Sequence, residues 1–181
     1  MAWRTMWRAL RDGPATEPAP AADPLLAESL AARLHAAAQR RLGRGLAIRQ
    51  VDSGSCNGCE LEIHMLGSIV YDLERLGLRF VASPRHADVL LVTGPVTRNM
   101  HDALLRSWAA TPDPKFVVAV GDCAIDGGVF KGSTAIIGGI DAAVPVDAFV
   151  RGCPPTPAAI LEVLCTLIEA NTPPPERVRR I

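Results

Sequence analysis

Four of the five cysteines in this 181-residue chain fall in three short motifs whose residue types could hold a metal centre. Each motif follows an apolar, strand-like run: Cys56-Asn57-Gly58-Cys59, Gly121-Asp122-Cys123 and Gly152-Cys153-Pro154-Pro155. Cysteine thiolates are soft ligands that bind zinc or the iron of iron-sulfur clusters. Their placement suggests one buried iron-sulfur cluster, which would make the protein an electron carrier.

The spacing of these cysteines bears on the kind of centre. Zinc ribbons typically use two Cys-x-x-Cys pairs, whereas here one pair combines with two distant single cysteines, the last followed by Pro154. This favours a 4Fe-4S cluster, and a zinc-stabilised α/β interaction module stays an alternative. A thioredoxin-like dithiol formed by Cys56 and Cys59 is another alternative, but it leaves Cys123 and Cys153 without a role.

Charge and apolar content narrow the class of protein. Lys+Arg and Asp+Glu both number 19, so no global attraction to nucleic acid or to an anionic membrane is expected. A secretory leader is not recognisable, which favours a reducing cytosol over a disulfide scaffold. The most apolar stretches are far too short to cross a bilayer. We therefore expect a soluble or peripheral protein that does not bind nucleic acid.

Apolar runs alternate with helical patterns along most of the chain. Strands are predicted at 46–51, 78–82, 89–93, 116–120 and 148–150, and helices at 25–42, 60–76, 99–110 and 157–170. Strands that are apolar throughout predict a parallel sheet covered on both faces, hence a flavodoxin-like or Rossmann-like α/β fold. Ligands of such sheets bind at the carboxyl ends of the strands, and all four cysteines follow strands at that edge.

Three regions are predicted. Residues 1–45 comprise a short amphipathic helix, a Pro/Ala-rich linker and a second helix, residues 46–171 form the cluster-binding domain, and residues 172–181 are a Pro-rich basic tail. In the first helix Trp3 and Trp7 lie on one face and arginines on the other. This helix either anchors the chain to a membrane surface or to a membrane-embedded partner, or is a frayed terminus.

The three motifs also resemble those of a known family. Ser55-Cys-Asn-Gly-Cys-Glu60, Gly121-Asp-Cys-Ala124 and Arg151-Gly-Cys-Pro-Pro155 look like the cluster motifs of the small subunit of membrane-bound, energy-converting nickel-iron hydrogenases. The related subunit of formate hydrogenlyase is included, and the homologous cluster-binding subunit of NADH-quinone oxidoreductase is a near cousin. The resemblance covers roughly residues 46–170.

The resemblance implies a specific role. Cys56, Cys59, Cys123 and Cys153 would be the ligands of one 4Fe-4S cluster proximal to the active site of a hydrogenase-like large subunit. Further implied partners are a ferredoxin-like polyferredoxin subunit and a membrane-arm subunit, on the cytoplasmic side of the inner membrane. The chain would be part of an oxidoreductase and would not be catalytic alone.

One feature separates the branches of that family. Quinone-reducing relatives carry two adjacent cysteines in the first motif, so Cys56-Asn-Gly-Cys59 favours the hydrogenase branch. A quinone-reducing or nickel-free hydrogenase-related complex stays the alternative, because the large subunit decides the reaction.

Charged residues near the motifs have two interpretations. Glu60 and Glu62 follow the first cysteine pair at a helix start, where carboxylates are favoured by the helix dipole, and their position also allows a proton-relay role. Arg85 and His86 are either solvated loop residues or guides for protons or for a partner subunit.

Three more features carry expectations. The stretch 93–95, Thr-Gly-Pro, ends a strand beside the predicted cluster and is expected to support it from behind. The Gly-rich stretch 127–139 is expected to face the large subunit. Cys165 lies among leucines in the last helix and is predicted to be a small buried thiol.

Overall fold

The computed structural model describes residues 24–171, together with Trp3, Trp7 and Arg11. The strands are β1 (Ala47–Asp52), β2 (Arg79–Phe80), β3 (Val89–Thr93), β4 (Val96–Thr97), β5 (Phe116–Val120), β6 (Ile136–Gly138) and β7 (Ala148–Val150). Five of them form a parallel sheet in the order β2-β1-β3-β5-β7. Counted within this sheet alone, the order is 2-1-3-4-5, which is the flavodoxin-like arrangement. The predicted α/β fold is confirmed.

Helices cover both faces of this sheet. They are α1 (Pro24–Leu42), α2 (Gly58–Met65), α3 (His101–Ala110), α4 (Asp122–Asp126) and α5 (Pro157–Ala170). Short 3-10 turns occupy Leu73–Leu76, Pro84–His86, Gly128–Phe130 and Ile140–Ala142.

Two apolar cores lie on opposite faces of the sheet. The larger core joins the sheet to α1, α2 and α5, with Leu34, Ile63 and Leu164 fully buried. The smaller core joins it to α3 and α4 through Leu104 and Ala124. Because β3 and β5 are buried along their whole length, their side chains pack on both faces, as the continuous apolar runs predict.

One ion pair ties the amino-terminal ends of β1 and β3 together. The Arg44 guanidinium donates to both Asp88 carboxylate oxygens at 2.7 and 2.8 Å. Asp88 also accepts the Ala47 backbone N–H at 2.9 Å. This carboxylate is 7% exposed, so it satisfies a buried backbone donor and holds the register of the two strands.

The local structure differs from the predictions in several places, one of them the strand predicted at 78–82, which extends only over Arg79–Phe80. The helix predicted over 60–76 ends at Met65, and the chain then turns at Gly67 and Ser68 before the 3-10 turn Leu73–Leu76. Asp72 has a positive φ of 41°, a conformation that cannot continue a right-handed helix. The antiparallel pair β4 and β6 was not predicted at all.

The terminal predictions fall largely on residues outside the described ones. Trp3, Trp7 and Arg11 are helical, and both tryptophan side chains are exposed, while the rest of 1–23 and the tail 172–181 lie outside the described residues. Within the described part of the chain, no helix has the length and apolar character needed to traverse a membrane.

Candidate metal centre at the carboxyl edge of the sheet

The four predicted cysteines line one small cavity of about 80 Å³ at the carboxyl edge of the sheet. Cys56 and Cys59 follow β1, Cys123 follows β5, and Cys153 follows β7. Their convergence is the arrangement expected when loops leave neighbouring parallel strands at the same edge. Among residues 24–171 and the three described before them, no group of three or more His, Cys, Asp and Glu is arranged to hold a single metal ion.

The first cysteine loop is shaped by its own hydrogen bonds. The Asp52 carboxylate accepts the backbone N–H groups of Gly54 and Ser55, both at 2.7 Å. The Ser55 hydroxyl accepts the Asn57 N–H at 3.2 Å. Asn57 adopts a left-handed conformation with φ of 72° immediately before α2, which asparagine tolerates better than most residues. The chain therefore reverses sharply between strand and helix.

The other two cysteine loops are tied to each other. The Gly121 N–H donates to the Val150 carbonyl at 2.8 Å, and the Asp122 N–H donates to the Gly152 carbonyl at 2.9 Å. The Asp122 carboxylate accepts the Gly152 N–H at 3.2 Å in return. These bonds extend the β5–β7 pairing past the sheet edge and fix the relative placement of Cys123 and Cys153.

Glycines stand where the backbone comes closest to the thiols. A Cβ at Gly121 would lie 2.5 Å from Cys59 Sγ, and Gly121 also has a φ of 94°. A Cβ at Gly128 would lie 2.8 Å from Cys123 Sγ. Both distances are well inside van der Waals contact, so these positions need glycine to leave the sulfur atoms in place.

Burial sets the acidity of two thiols. Burial raises the pKa of Cys59 to about 12, and Glu60 beside it acts in the same direction. Burial also raises the pKa of Cys123, while a hydrogen bond from the Val129 backbone lowers it. Both groups are therefore protonated at neutral pH when nothing binds them, and a positively charged metal would have to displace those protons.

Ser53 supports the site from behind and was missed by sequence reasoning. Its side chain is fully buried, and its hydroxyl lies 2.7, 3.0 and 3.1 Å from the carbonyl oxygens of Thr93, Gly94 and Pro95. Gly94 lines the cysteine cavity. The stretch 93–95 thus lies beside the cavity as expected, and a serine directly after a strand carries no signal that reveals this contact.

Glu60 and Glu62 differ in their surroundings. Glu60 is 4% exposed, and neither of its carboxylate oxygens has a hydrogen-bond partner among the described residues. Glu62 is half-buried. Glu60 lies in the first turn of α2, as the helix-start interpretation predicts. That interpretation does not explain why a carboxyl without a hydrogen-bond partner among the described residues is buried next to a predicted ligand.

The remaining candidate residues lie away from the cavity lining. Arg85 and His86 are exposed in a 3-10 turn, in agreement with solvated loop residues. Cys165 is 1% exposed and donates its thiol hydrogen to the Leu30 carbonyl at 3.0 Å. Burial raises the pKa of Cys165 to about 11, and the prediction of a structural thiol is confirmed.

The mouth of the cavity opens to the protein surface. Cys56 and Cys153 are exposed, whereas Cys59 and Cys123 are partly buried. Val129 and Phe130, in the turn that follows Cys123, are 82% and 41% exposed. The Gly-rich stretch 127–139 therefore presents apolar side chains beside the mouth.

A flavodoxin-like sheet with a cysteine-lined cavity at its carboxyl edge defines a class of α/β protein in which four thiols are grouped at one site. The chain belongs to the family of the NADH ubiquinone oxidoreductase 20 kDa subunit, whose family model matches residues 56–167. The match includes all four cysteines of the cavity. It confirms the family predicted from the three motifs.

Two curated proteins are similar to this chain over about three quarters of its length. The chain is 45% identical over 138 residues to formate hydrogenlyase subunit 7 of Escherichia coli K12, covering 76% of this chain. It is 46% identical over 142 residues to the probable membrane-bound hydrogenase subunit mbhJ of Pyrococcus furiosus, covering 75% of this chain and 85% of that protein. The chain spans about half, 54%, of the length of the Escherichia coli relative.

Two solved structures have a similar fold. A chain of the membrane-bound sulfane sulfur reductase, an archaeal respiratory membrane complex, matches with a TM-score of 0.62 and 31% identity, over 82% of this chain and 77% of that chain. A chain of an NAD+-reducing nickel-iron hydrogenase matches with a TM-score of 0.56 and 21% identity, over 70% of this chain and 93% of that chain. The second match shows the shared fold alone. By their names, the Escherichia coli, Pyrococcus furiosus and sulfane sulfur reductase proteins are parts of oxidoreductase complexes, two of them membrane-bound, as predicted.

Proposed function

We propose that this chain is the electron-transfer subunit of a membrane-associated group 4-type nickel-iron hydrogenase or formate hydrogenlyase-like complex. In this proposal Cys56, Cys59, Cys123 and Cys153 hold one 4Fe-4S cluster proximal to the active site of a large subunit. The observation that carries it is the convergence of four thiols from three separate loops on one cavity.

The residues of the cavity fit such a group in three respects. The donors are four thiols, which are the usual protein ligands of iron-sulfur clusters. Gly121 and Gly128 keep Cβ atoms away from two of the sulfurs. Burial raises the pKa of Cys123, and the Val129 backbone hydrogen bond opposes that rise, so this bond favours the thiolate that binds metal.

The chain's own residues would hold and orient the centre. When bound, a 4Fe-4S cluster takes up and releases single electrons. The Asp122 and Gly152 backbone bonds fix the Cys123 and Cys153 loops, so the centre would move little when its charge changes. The Ser53 hydroxyl holds the turn 93–95 in place through its carbonyl oxygens.

The exposure of two cysteines at the mouth of the cavity supports the partner subunits in this proposal. Cys56 and Cys153 are exposed, and an exposed centre needs a covering subunit if electrons are to pass to an active site. Val129 and Phe130 offer apolar surface for a hydrogenase-like large subunit. A ferredoxin-like polyferredoxin subunit would exchange electrons with it, and a membrane-arm subunit would hold the assembly on the cytoplasmic side of the inner membrane.

The test uses the complex purified anaerobically through a tag on the full chain. With hydrogen as reductant, the wild-type complex is expected to bleach the visible absorption of its ferredoxin-like subunit. A Cys153→Ala variant is expected to lose this electron transfer, and Cys165→Ala, which removes a thiol outside the cavity, is expected to keep it. Equal rates in both variants would overturn the assignment of Cys153.

A quinone-reducing or nickel-free complex is the second candidate, favoured by the name of the matching family. The large subunit that co-purifies decides between the two. Two Cys-x-x-Cys pairs in that subunit indicate hydrogen chemistry, and their absence indicates the second candidate. Zinc without sulfide in the purified chain would instead support an interaction module.

A further inference from the structure

A second, open cavity of about 480 Å³ lies where β1 extends past the end of β2. Only Ala47 and Ile48 of β1 pair with β2. Val81 donates its N–H to the Ile48 carbonyl at 2.8 Å, after which the chain leaves the sheet. Arg49 and Gln50 of β1 thereby line the cavity, together with His64 and Ser68.

The lining of this cavity combines the apolar residues Phe80, Val81 and Ala82 with polar and basic ones. No Asp or Glu is among the lining residues, which include the guanidinium of Arg49 and the imidazole of His64. The Arg49 Nε is buried and has no hydrogen-bond partner among the described residues. A buried N–H of a charged group without an acceptor is costly, and a carboxylate is the acceptor that matches a guanidinium best.

The residues that adjoin the lining residues His64 and Ser68 in the chain form an apolar rim that faces water. Ile69 is 98% exposed, Val70 is 66% exposed and Met65 is 42% exposed. Met65 ends α2, and the turn that carries Ile69 and Val70 is ordered by Ser68, whose carbonyl accepts the Asp72 N–H at 2.7 Å and whose hydroxyl accepts the Val70 N–H at 3.3 Å. These apolar side chains are thus held outward, which is typical of a surface that another protein covers.

We propose that this surface, formed by Arg49, His64, Ser68, Ile69 and Val70, docks a partner polypeptide that inserts an Asp or Glu side chain into the cavity. The carboxylate pairs with Arg49, and apolar side chains on either side of it pack on Ile69 and Val70. The apolar rim favours a polypeptide over a small anion, because a small anion would leave those side chains in water.

This surface lies at the other end of α2 from the cysteines. His64 lies five residues after Cys59 in α2, about 7.5 Å along the helix axis. No residue lines both cavities, so the surface is separate from the mouth beside Val129. The inference goes beyond the proposed function, because the chain can hold a cluster whether or not this surface is occupied.

Site-specific cross-linking identifies the occupant. Ile69 is replaced by p-benzoylphenylalanine in the full complex, with the same replacement at Leu25, which is 75% exposed on α1, as control. After irradiation, the Ile69 position is expected to join one partner segment that contains Asp or Glu between apolar residues, and the Leu25 position is not. A joined segment without a carboxylate, or no joined polypeptide, would overturn the proposal.

Charge reversal tests the ion pair. Arg49→Glu is expected to weaken retention of that partner at least about tenfold, and reversal of the partner's carboxylate to lysine is expected to restore it. Arg106→Glu, on α3 and 82% exposed, is the matched control and is expected to retain the partner. Equal retention by both variants would contradict the proposal.

Folding and cluster content keep the two proposals apart. Iron content is measured in every variant and is expected to match that of the wild type. If Arg49→Glu does not fold, the variant Ile69→Asp tests the docking surface instead. The Ile69 side chain is almost fully exposed, so it can change without disturbing the core. Ile69→Asp is expected to release the partner at least about tenfold more readily, and unchanged retention would refute the docking surface.

Discussion

Substitution of Gly121 tests the cavity most sharply, because the backbone there lies very close to the Cys59 thiol. An added methyl in Gly121→Ala would lie 2.5 Å from Cys59 Sγ, whereas nonbonded heavy atoms approach to about 3.5–4.0 Å. The thiol must therefore move by about 1 Å. Metal–ligand distances in proteins lie within about 0.2 Å of their standard values, so a thiol displaced by about 1 Å fits poorly and the variant is expected to lose most of its bound iron.

The cost to stability can be divided into two parts. Gly121 has φ of 94° and ψ of 155°, a region almost exclusive to glycine, which costs about 1–3 kcal/mol for other residues. The steric overlap adds about 1–3 kcal/mol. Gly132 is the matched control, because its φ is 86° and a Cβ there meets nothing within 4 Å. Gly132→Ala therefore has backbone strain without the overlap.

Denaturant unfolding and iron analysis of the two reconstituted proteins give the answer. We expect Gly132→Ala to lose stability by the strain alone and to keep wild-type iron. Gly121→Ala is expected to lose about 2–6 kcal/mol and at least about nine-tenths of its iron. Equal iron in the two variants would refute the assignment of the cavity as the cluster site.

Two further predictions concern the scaffold. Asp88→Ala removes the acceptor of Arg44 and of the buried Ala47 N–H and is expected to lower the free energy of unfolding in urea by about 2–4 kcal/mol. The control Asp102→Ala, in an exposed ion pair, should lower it by under about 1 kcal/mol. Similar losses in the two variants would contradict the role of Asp88. Because the pKa of Cys165 is raised from 9.0 to about 11, the unfolded state loses this proton first, so its contribution is present below pH 9 and is lost between pH 9 and 11. Wild type should therefore lose about 2–3 kcal/mol relative to Cys165→Ala over that range, and a pH-independent difference in unfolding free energy would argue against a protonated buried thiol.

The parts of the fold that sequence predicts well are those with strong, continuous burial. Strands 89–93, 116–120 and 148–150 were predicted with the bounds that the structure has. The last helix was also predicted correctly, since Thr156 caps it, its hydroxyl accepting the Ala159 N–H, and Pro157 opens it. For these strands and for this helix, the local sequence pattern and the burial in the structure indicate the same element.

The helix predicted over 60–76 shows where periodicity misleads. Ile69 and Val70 continue the apolar spacing of α2, but both are exposed in the structure. Periodicity records which side chains are apolar and cannot say whether this chain or another one covers them. The same limit explains why the surface around Ile69 was not predicted.

The candidate site likewise has features that the sequence predicts and features that it does not. The convergence of the four cysteines was predicted because parallel strands bring their carboxyl ends to one edge. The support from Ser53 and the glycine contact between Gly121 and Cys59 were not predicted, because both join residues far apart in the chain. Such contacts depend on packing distances that a one-dimensional pattern does not contain.

The iron and acid-labile sulfide content of the anaerobically purified full chain, combined with its Mössbauer spectrum, tests the central claim most directly. We predict about four iron and four sulfide per chain, with the spectrum of a single 4Fe-4S cluster. The cluster should be lost in Cys123→Ala and retained in Cys165→Ala. One zinc per chain without sulfide, or a full cluster in Cys123→Ala, would contradict the account.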